Sequence, residues 1–318
     1  MCVPKPNRIQ PYLSGGVLAI ALLLAGCDTT AEAPDSDRPD VVTTSTMITD
    51  WTARVGGDAI DLTGILEPGA DPHVYEPVPR DSIALEEAEL IFYNGYDLEP
   101  SLIRLINGTG VEARKVAVGE AVSPLDTDYA GERVPDPHVW GDVENAVVMV
   151  EVIQAELSAL APDQAATFDA NAAAFIAELE ALDQWISAQI DTIPPEQRKL
   201  VTTHDAFEYF THAYGLESAG TLIGISTEEQ PSAQTVQQLS DTIQALGVPA
   251  IFAETTINPR LVTTVAEEAG VTLAETELYS DSIGAPGSDG ETYIDMMTSN
   301  TRAIVENLGG TFTAFNPE

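Results

Sequence analysis

Residues 163–191 read DQAATFDANAAAFIAELEALDQWISAQID, and this stretch decides the architecture. Phe168, Ala172, Phe175, Leu179, Leu182, Ile186 and Ile190 recur in steps of three and four, which puts one apolar stripe along one face of a helix. Pro162 stands at its start, Asp163 falls in its first turn, and Pro194-Pro195 lies just past its end, all proper helix boundaries. A helix over residues 163–191 spans about 43 Å, enough to run the height of a two-lobed protein. A coiled-coil partner helix would give a similar stripe. This one lasts only about four heptads, is rich in Ala and sits between two α/β patterns, so a rigid connecting helix is the better reading.

Outward from this helix, short apolar runs alternate with amphipathic stretches, as they do in α/β folds. On the N-terminal side, Val41–Ile48, Ile60–Ile65, Leu90–Tyr93 and Lys115–Val118 read as strands, with helical stretches such as Asp81–Ala88 between them. On the C-terminal side the strands are Lys199–Thr203, Gly220–Ile225, Ala250–Ala253 and Val271–Leu278. Asn145–Leu160 adds a second amphipathic helix through Ala146, Val150, Ile153, Leu157 and Leu160. About 275 residues are too many for one typical core. We therefore expect an α/β lobe over 41–161, the connecting helix over 162–193 and a second α/β lobe over 194–318.

The first 26 residues read as an export signal. Lys5 and Arg8 precede a short apolar run from Gly15 to Leu24, which is briefer than the roughly 20 residues a spanning helix needs. It ends in Leu24-Ala25-Gly26-Cys27, the bacterial lipoprotein pattern, so Cys27 is the expected lipid anchor and membrane contact. Cys2 leaves with the signal, and the mature fold then has no thiol for a disulfide. Residues 27–40 are acidic, contain Pro and lack large apolar side chains, the composition of a flexible tether. Without the signal, 51 acidic residues face 11 basic ones, a balance of −40. Such a chain is repelled by nucleic acid and by anionic lipid surfaces. A solvated acidic coat is the simplest account of that charge.

Three of the four histidines stand in marked settings. His73 lies in Asp71-Pro72-His73-Val74-Tyr75-Glu76-Pro77 and His138 in Asp136-Pro137-His138-Val139-Trp140, so the tetrapeptide Asp-Pro-His-Val occurs twice. Proline fixes its own φ and biases its predecessor to extended geometry, which displays each His from a stiff loop. His204 ends an expected strand, the place where open α/β sheets bind ligands. The three are 65 and 66 residues apart, so a shared site must assemble from distant segments. Each alone reads as readily as a surface or hydrogen-bonded structural residue. His212, inside a helical stretch, reads as a bystander.

From Val41 onward the chain resembles the metal-binding subunits of zinc and manganese ABC importers, also called lipoprotein receptor antigens. The resemblance is carried by Trp51 with Val55-Gly56-Gly57-Asp58, both Asp-Pro-His-Val segments, Phe92-Tyr93-Asn94-Gly95, and His204-Asp205-Ala206-Phe207-Glu208-Tyr209-Phe210. It continues through Ile251-Phe252-Ala253-Glu254, Asn258-Pro259-Arg260 and Tyr279-Ser280-Asp281-Ser282. It implies two α/β lobes joined by one long helix, with a metal ion held in the interlobe cleft by His73, His138, His204 and Asp281. It further implies an extracytoplasmic monomer, tethered by lipid, that delivers metal to a membrane permease. Two departures stand out. After Trp140 the family usually has an apolar residue, Asp and Pro, where this chain has Gly141-Asp142-Val143. The His-rich insertion of many zinc-specific members is missing, and residues 121–135 contain no His.

Three imidazoles and one carboxylate suit Zn²⁺, whereas a second carboxylate in place of an imidazole would turn the site towards Mn²⁺. The resemblance points the same way, since the third position is His in zinc-associated members and often Glu in manganese members. Zinc is the expected ion and manganese the alternative. Glu254, at a strand end, is a candidate to orient a His ligand from behind, or else an acid at a helix start. A zinc hydrolase needs an open coordination position and a base, and His-Glu-x-x-His is absent. No enzyme activity is expected, and nothing in the sequence encodes an adhesive surface. A haem or siderophore binder would put basic side chains in the cleft, and few remain.

Overall fold

The computed structural model describes residues 38–316, apart from Thr109 and Ala130. The signal (1–26), the anchor Cys27 and nearly all of the 27–40 tether lie outside the described residues. The N-terminal half starts with β1 (Asp40–Thr43), α1 (Thr46–Gly56), β2 (Asp61–Gly64), α2 (Pro79–Glu87), β3 (Leu90–Tyr93), α3 (Pro100–Ile106) and β4 (Arg114–Ala117). The strands form one parallel sheet in the order β2-β1-β3-β4, with Val41 opposite both Leu62 and Leu90.

The expected strand Val41–Ile48 is cut short here. Ser45 ends it by accepting the Ile48 amide on its Oγ at 3.4 Å, which starts α1. Met47, Ile48, Trp51 and Val55 then recur at helical spacing and are buried, so the second half of that apolar run belongs to a helix. Residues 121–135, expected only to lack His, contain an antiparallel hairpin of β5 (Asp126–Tyr129) and β6 (Glu132–Pro135).

Two helices follow, α4 (Val143–Leu160) and α5 (Ala165–Ile190), the latter entered through a 3₁₀ turn over Pro162–Gln164. At 26 residues α5 is slightly shorter than the sequence pattern suggested, because Pro162 sets up that tighter turn first. All seven residues of its stripe are buried, and α5 packs against α4, α1 and the C-terminal helix α9 (Tyr293–Asn307).

The C-terminal half runs through β7 (Lys199–His204), α6 (Glu208–Tyr214), β8 (Glu217–Ile223), α7 (Ala233–Leu246), β9 (Ala250–Ile251), α8 (Arg260–Ala269) and β10 (Thr272–Leu273). Parallel pairs β8-β7 and β9-β10 are joined by the Phe252 amide donating to the Val201 carbonyl at 3.0 Å. The expected strand Val271–Leu278 survives only as β10 and a bridge from Leu278 to Glu254, since the chain between them leaves the ladder.

One large apolar core passes through both halves and includes Trp51, Phe92, Trp140, Leu179, Phe210 and Tyr293. A smaller one around Leu222, Leu239, Ile243 and Val265 belongs to β7–β10, α7 and α8 alone. The α9 helix returns to the N-terminal half: the Tyr293 ring meets Trp51 edge-on at 5.1 Å, and its hydroxyl donates to the Trp140 carbonyl at 2.7 Å.

The unusual Gly141-Asp142-Val143 segment is accommodated in this packing. Asp142 caps α4 by accepting the Glu144 amide at 2.9 Å. A Cβ on Gly141 would sit 3.1 Å from the Phe210 backbone nitrogen, so glycine lets α6 approach closely. The Val143 amide donates to the Tyr214 hydroxyl at 3.4 Å, a donor that proline would lack.

Leu179 is fully buried at the middle of the α5 stripe. Leu179→Ala should therefore lower unfolding stability by about 2–5 kcal/mol in urea titration, and a loss under about 1 kcal/mol would contradict the packing described.

Candidate metal centre

Each of the four candidate ligands sits on a braced loop or strand end. His73 lies between β2 and α2, and its amide donates to Asp71 Oδ1 at 2.9 Å. The loop beyond it is tied down by Tyr75, whose hydroxyl donates to Asp81 Oδ2 at 2.8 Å. His138 repeats the arrangement, its amide donating to Asp136 Oδ1 at 2.9 Å, while its Nδ1 meets the same oxygen at 2.7 Å. Asn94 fixes that loop by donating from Nδ2 to the Pro137 carbonyl at 2.9 Å.

His204 ends β7. Its amide donates to Glu254 Oε1 at 2.8 Å and its Nδ1 pairs with Glu254 Oε2. Asp281 follows the Leu278 bridge, yet its segment is fastened to the N-terminal half. Trp140 Nε1 donates to the Ser280 carbonyl at 3.0 Å, the Ile283 amide to Thr46 Oγ1 at 3.0 Å, and the Gly69 amide to Ser282 Oγ at 2.7 Å.

These elements bring His73, His138, His204 and Asp281 into one buried cluster whose candidate ligand atoms lie within 4.8 Å of one another. The Asp281 carboxylate stands 3.4 Å from His138 Nε2, 3.2 Å from His204 Nε2 and 3.9 Å from His73 Nε2. All three are close enough for ion pairing, but His204 Nε2 and both Asp281 oxygens have no hydrogen-bond partner. The ligand atoms thus crowd into one small volume with several of their hydrogen-bonding positions unfilled. Such unpartnered buried polar atoms are costly, and a carboxylate most of all, unless a cation balances them.

The charges follow from what stands behind each ring. Burial draws the His138 imidazole down, but Asp136 and Asp281 outweigh it and carry it up to about 9. Burial acts likewise on His204, and Glu254 with Asp281 overcomes it, raising the ring well above 6.5. His73 has only Asp281, at the longest distance, so burial wins and lowers it to about 3. Its neutral Nε2 can then accept from His138 Nε2, 3.2 Å away. For Asp281, burial pushes the carboxyl up, but the surrounding imidazoles, His204 foremost, hold it well below the usual range.

Glu254, a candidate from its strand-end position, lies directly behind His204. His212 is exposed on α6 and takes no part in the cluster. Asp71 and Asp136 were not singled out from sequence, although the repeated Asp-Pro-His-Val carried the signal. An Asp two residues before each His can cap its amide, a role as important as the proline stiffness.

Residues 41–307 match the family described as zinc-uptake complex component A, periplasmic. The chain belongs to this family. It is 36% identical over 294 residues to the manganese-binding lipoprotein MntA of Halalkalibacterium halodurans, covering 92% of this chain and 96% of that protein. It is 33% identical over 309 residues to the iron ABC transporter substrate-binding lipoprotein MtsA of Streptococcus pyogenes, covering 95% and 99%. The periplasmic zinc binding protein TroA of Treponema pallidum superposes with a TM-score of 0.81 at 34% identity, over 85% of this chain and 99% of that one. Members of the zinc-uptake component family are extracytoplasmic, metal-binding components of ABC importers, and this chain is accordingly a binding protein and not an enzyme. No helix among the described residues is long and apolar enough to cross a membrane.

Asp136→Asn should lower the His138 ring from about 9, because burial is then opposed by Asp281 alone. Histidine NMR titration of protein stripped of metal reads this directly, and an unmoved His138 resonance would reject the assignment.

Proposed function

We infer that this protein captures a divalent transition metal, zinc first, through His73, His138, His204 and Asp281, and hands it to a membrane permease. The observation that carries the reading is the convergence of four buried ligand atoms within 4.8 Å, with His204 Nε2 and both Asp281 oxygens otherwise unpartnered. A divalent cation at their centre neutralises Asp281 and takes up each imidazole lone pair. Behind the ring, Asp136 and Glu254 hold two of the three Nδ1 atoms, the usual way a protein orients an imidazole ligand. Lobes 41–161 and 194–318, joined by the helix over 162–193, close around the ion. Lipid attached to Cys27 keeps the protein, a monomer, beside its permease.

Zinc is favoured because four protein ligands rich in nitrogen satisfy its tetrahedral preference and leave no position for a reacting water. Manganese is the second reading, supported by the 36% identity to a manganese-binding lipoprotein and by the freedom of both Asp281 oxygens to coordinate together. Elemental analysis of protein purified without added metal, followed by Zn²⁺/Mn²⁺ competition, separates the two. Protein purified free of metal that takes up neither ion would end the capture reading.

In titration calorimetry, His73→Ala, His138→Ala, His204→Ala and Asp281→Ala should each weaken binding by about a hundredfold or more, as lost ligands do, while His212→Ala leaves it unchanged. Wild-type affinity in His204→Ala together with loss in His212→Ala would overturn the ligand set.

Binding should also depend on pH from the alkaline side. With His138 raised to about 9 and His204 well above 6.5, both rings carry protons at neutral pH, whereas His73 at about 3 does not. Coordination needs neutral rings, so metal displaces those protons and apparent affinity falls as pH drops from 9, by up to about two decades per pH unit. Chelator competition across that range measures the slope. A flat profile from pH 7.5 to 5 would mean that carboxylates carry the binding.

A further inference from the structure

A cavity of about 730 Å³ opens beside the metal centre, and of the four proposed ligands only His73 lines it. Tyr96 and Glu120 form part of one wall, and Ile225, Ser226 and Glu228, from the loop between β8 and α7, form part of the other. His138, His204 and Asp281 are at most 1% exposed and do not reach this cavity. An ion arriving through it therefore meets His73 before the other three.

His73 is also held differently from the other imidazoles. Asp136 grips both the amide and the Nδ1 of His138, and Glu254 does the same for His204. Asp71 accepts the His73 amide, but among the described residues no carboxylate meets its Nδ1. The second Asp71 oxygen instead accepts from Thr227 Oγ1 at 2.6 Å. Thr227 sits between Ser226 and Glu228, so this hydrogen bond joins the His73 loop to the opposite wall of the cavity. The elements on either side of that loop, β8 and α7, pack on the small separate core around Ile243 and Val265.

We propose that Thr227 and Asp71 form a latch across this passage that positions His73, making His73 the last ligand to close on the ion and the first to release it. The inference rests on the metal-capture reading. Thr227 is a positioning residue, since it acts on the ion through Asp71 and His73. The two Asp-Pro-His-Val segments thus serve different ends. One Asp makes a permanent brace, and the other makes a brace that depends on closure of the opposite wall.

The test compares release of Zn²⁺ from the full chain by stopped-flow chelator capture. Thr227→Val keeps the shape and removes the donor, and should speed release about tenfold, the scale of one hydrogen bond to a charged group. Thr227→Ser restores the donor and should release within about threefold of the wild type. The Co²⁺ absorption spectrum of Thr227→Val should match the wild type, because all four ligands remain. Ser226→Trp narrows the passage and should slow loading and release together, with the dissociation constant held within about twofold. Release from Thr227→Val within about twofold of wild type, equal acceleration in Thr227→Ser, or unchanged rates in Ser226→Trp would overturn the proposal. Those outcomes require a protein that still binds metal, so they leave the capture reading intact. A wild type that binds no metal would defeat both.

Discussion

The structure is organised around one buried carboxylate. Asp281 is 1% exposed and neither of its oxygens has a hydrogen-bond partner, a condition that water or backbone amides relieve at most buried acids. Here three imidazoles surround it instead. Two of them are in turn backed by further carboxylates, Asp136 and Glu254, so negative charge lies both at the centre and behind the ring. These carboxylates raise the His138 and His204 rings above the ordinary imidazole range. On the proposed reading, a divalent ion would bring two positive charges to the place where these side chains gather. Affinity and pH dependence would then have the same cause, the exchange of protons for metal at one set of ligand atoms.

The order of segments along the chain differs from the order in which they are bonded. Asp281 comes late in sequence, yet its segment is held by Thr46, Gly69 and Trp140 of the N-terminal half. The α9 helix after it is locked to the same half through Tyr293. The elements β7–β10, α7 and α8, which carry His204 and Glu254, build a smaller core of their own while Leu200, Phe252 and Ala274 join the large one. The long α5 helix that joins the two lobes is packed along α4, α1 and α9.

Much of this could be read from the residues, and the exceptions have physical reasons. The α5 stripe was readable because it repeats over seven turns with no competing period, and His73, His138 and His204 because rare residues stood in distinctive contexts. Asp281 had no such mark, being one acid among 51, and only family resemblance singled it out. The Val41–Ile48 run misled because β-branched and apolar residues continue through the turn at Ser45, where a side-chain cap decides the conformation. Glu99 was equally invisible. It is fully buried beside Thr44 and Asn94, and burial carries it up to about 7, yet nothing in its neighbourhood on the chain announces this.

The ligand list alone does not settle which metal such a site delivers. Wherever both ions fit, divalent zinc binds more tightly than manganese, because the preference of nitrogen donors follows the ion more than the protein. A protein can shift that balance only through rigidity. His138 and His204 are each gripped at two points by a carboxylate and have little freedom to widen their angle. His73 is gripped at one, and Asp281 has two oxygens free to turn. On the proposed reading, the nitrogen pair would form the tighter edge of the site, and the His73–Asp281 edge the one better able to adapt to a larger ion. Selection between metals then rests on how firmly the yielding edge is held, and delivery on how readily it lets go.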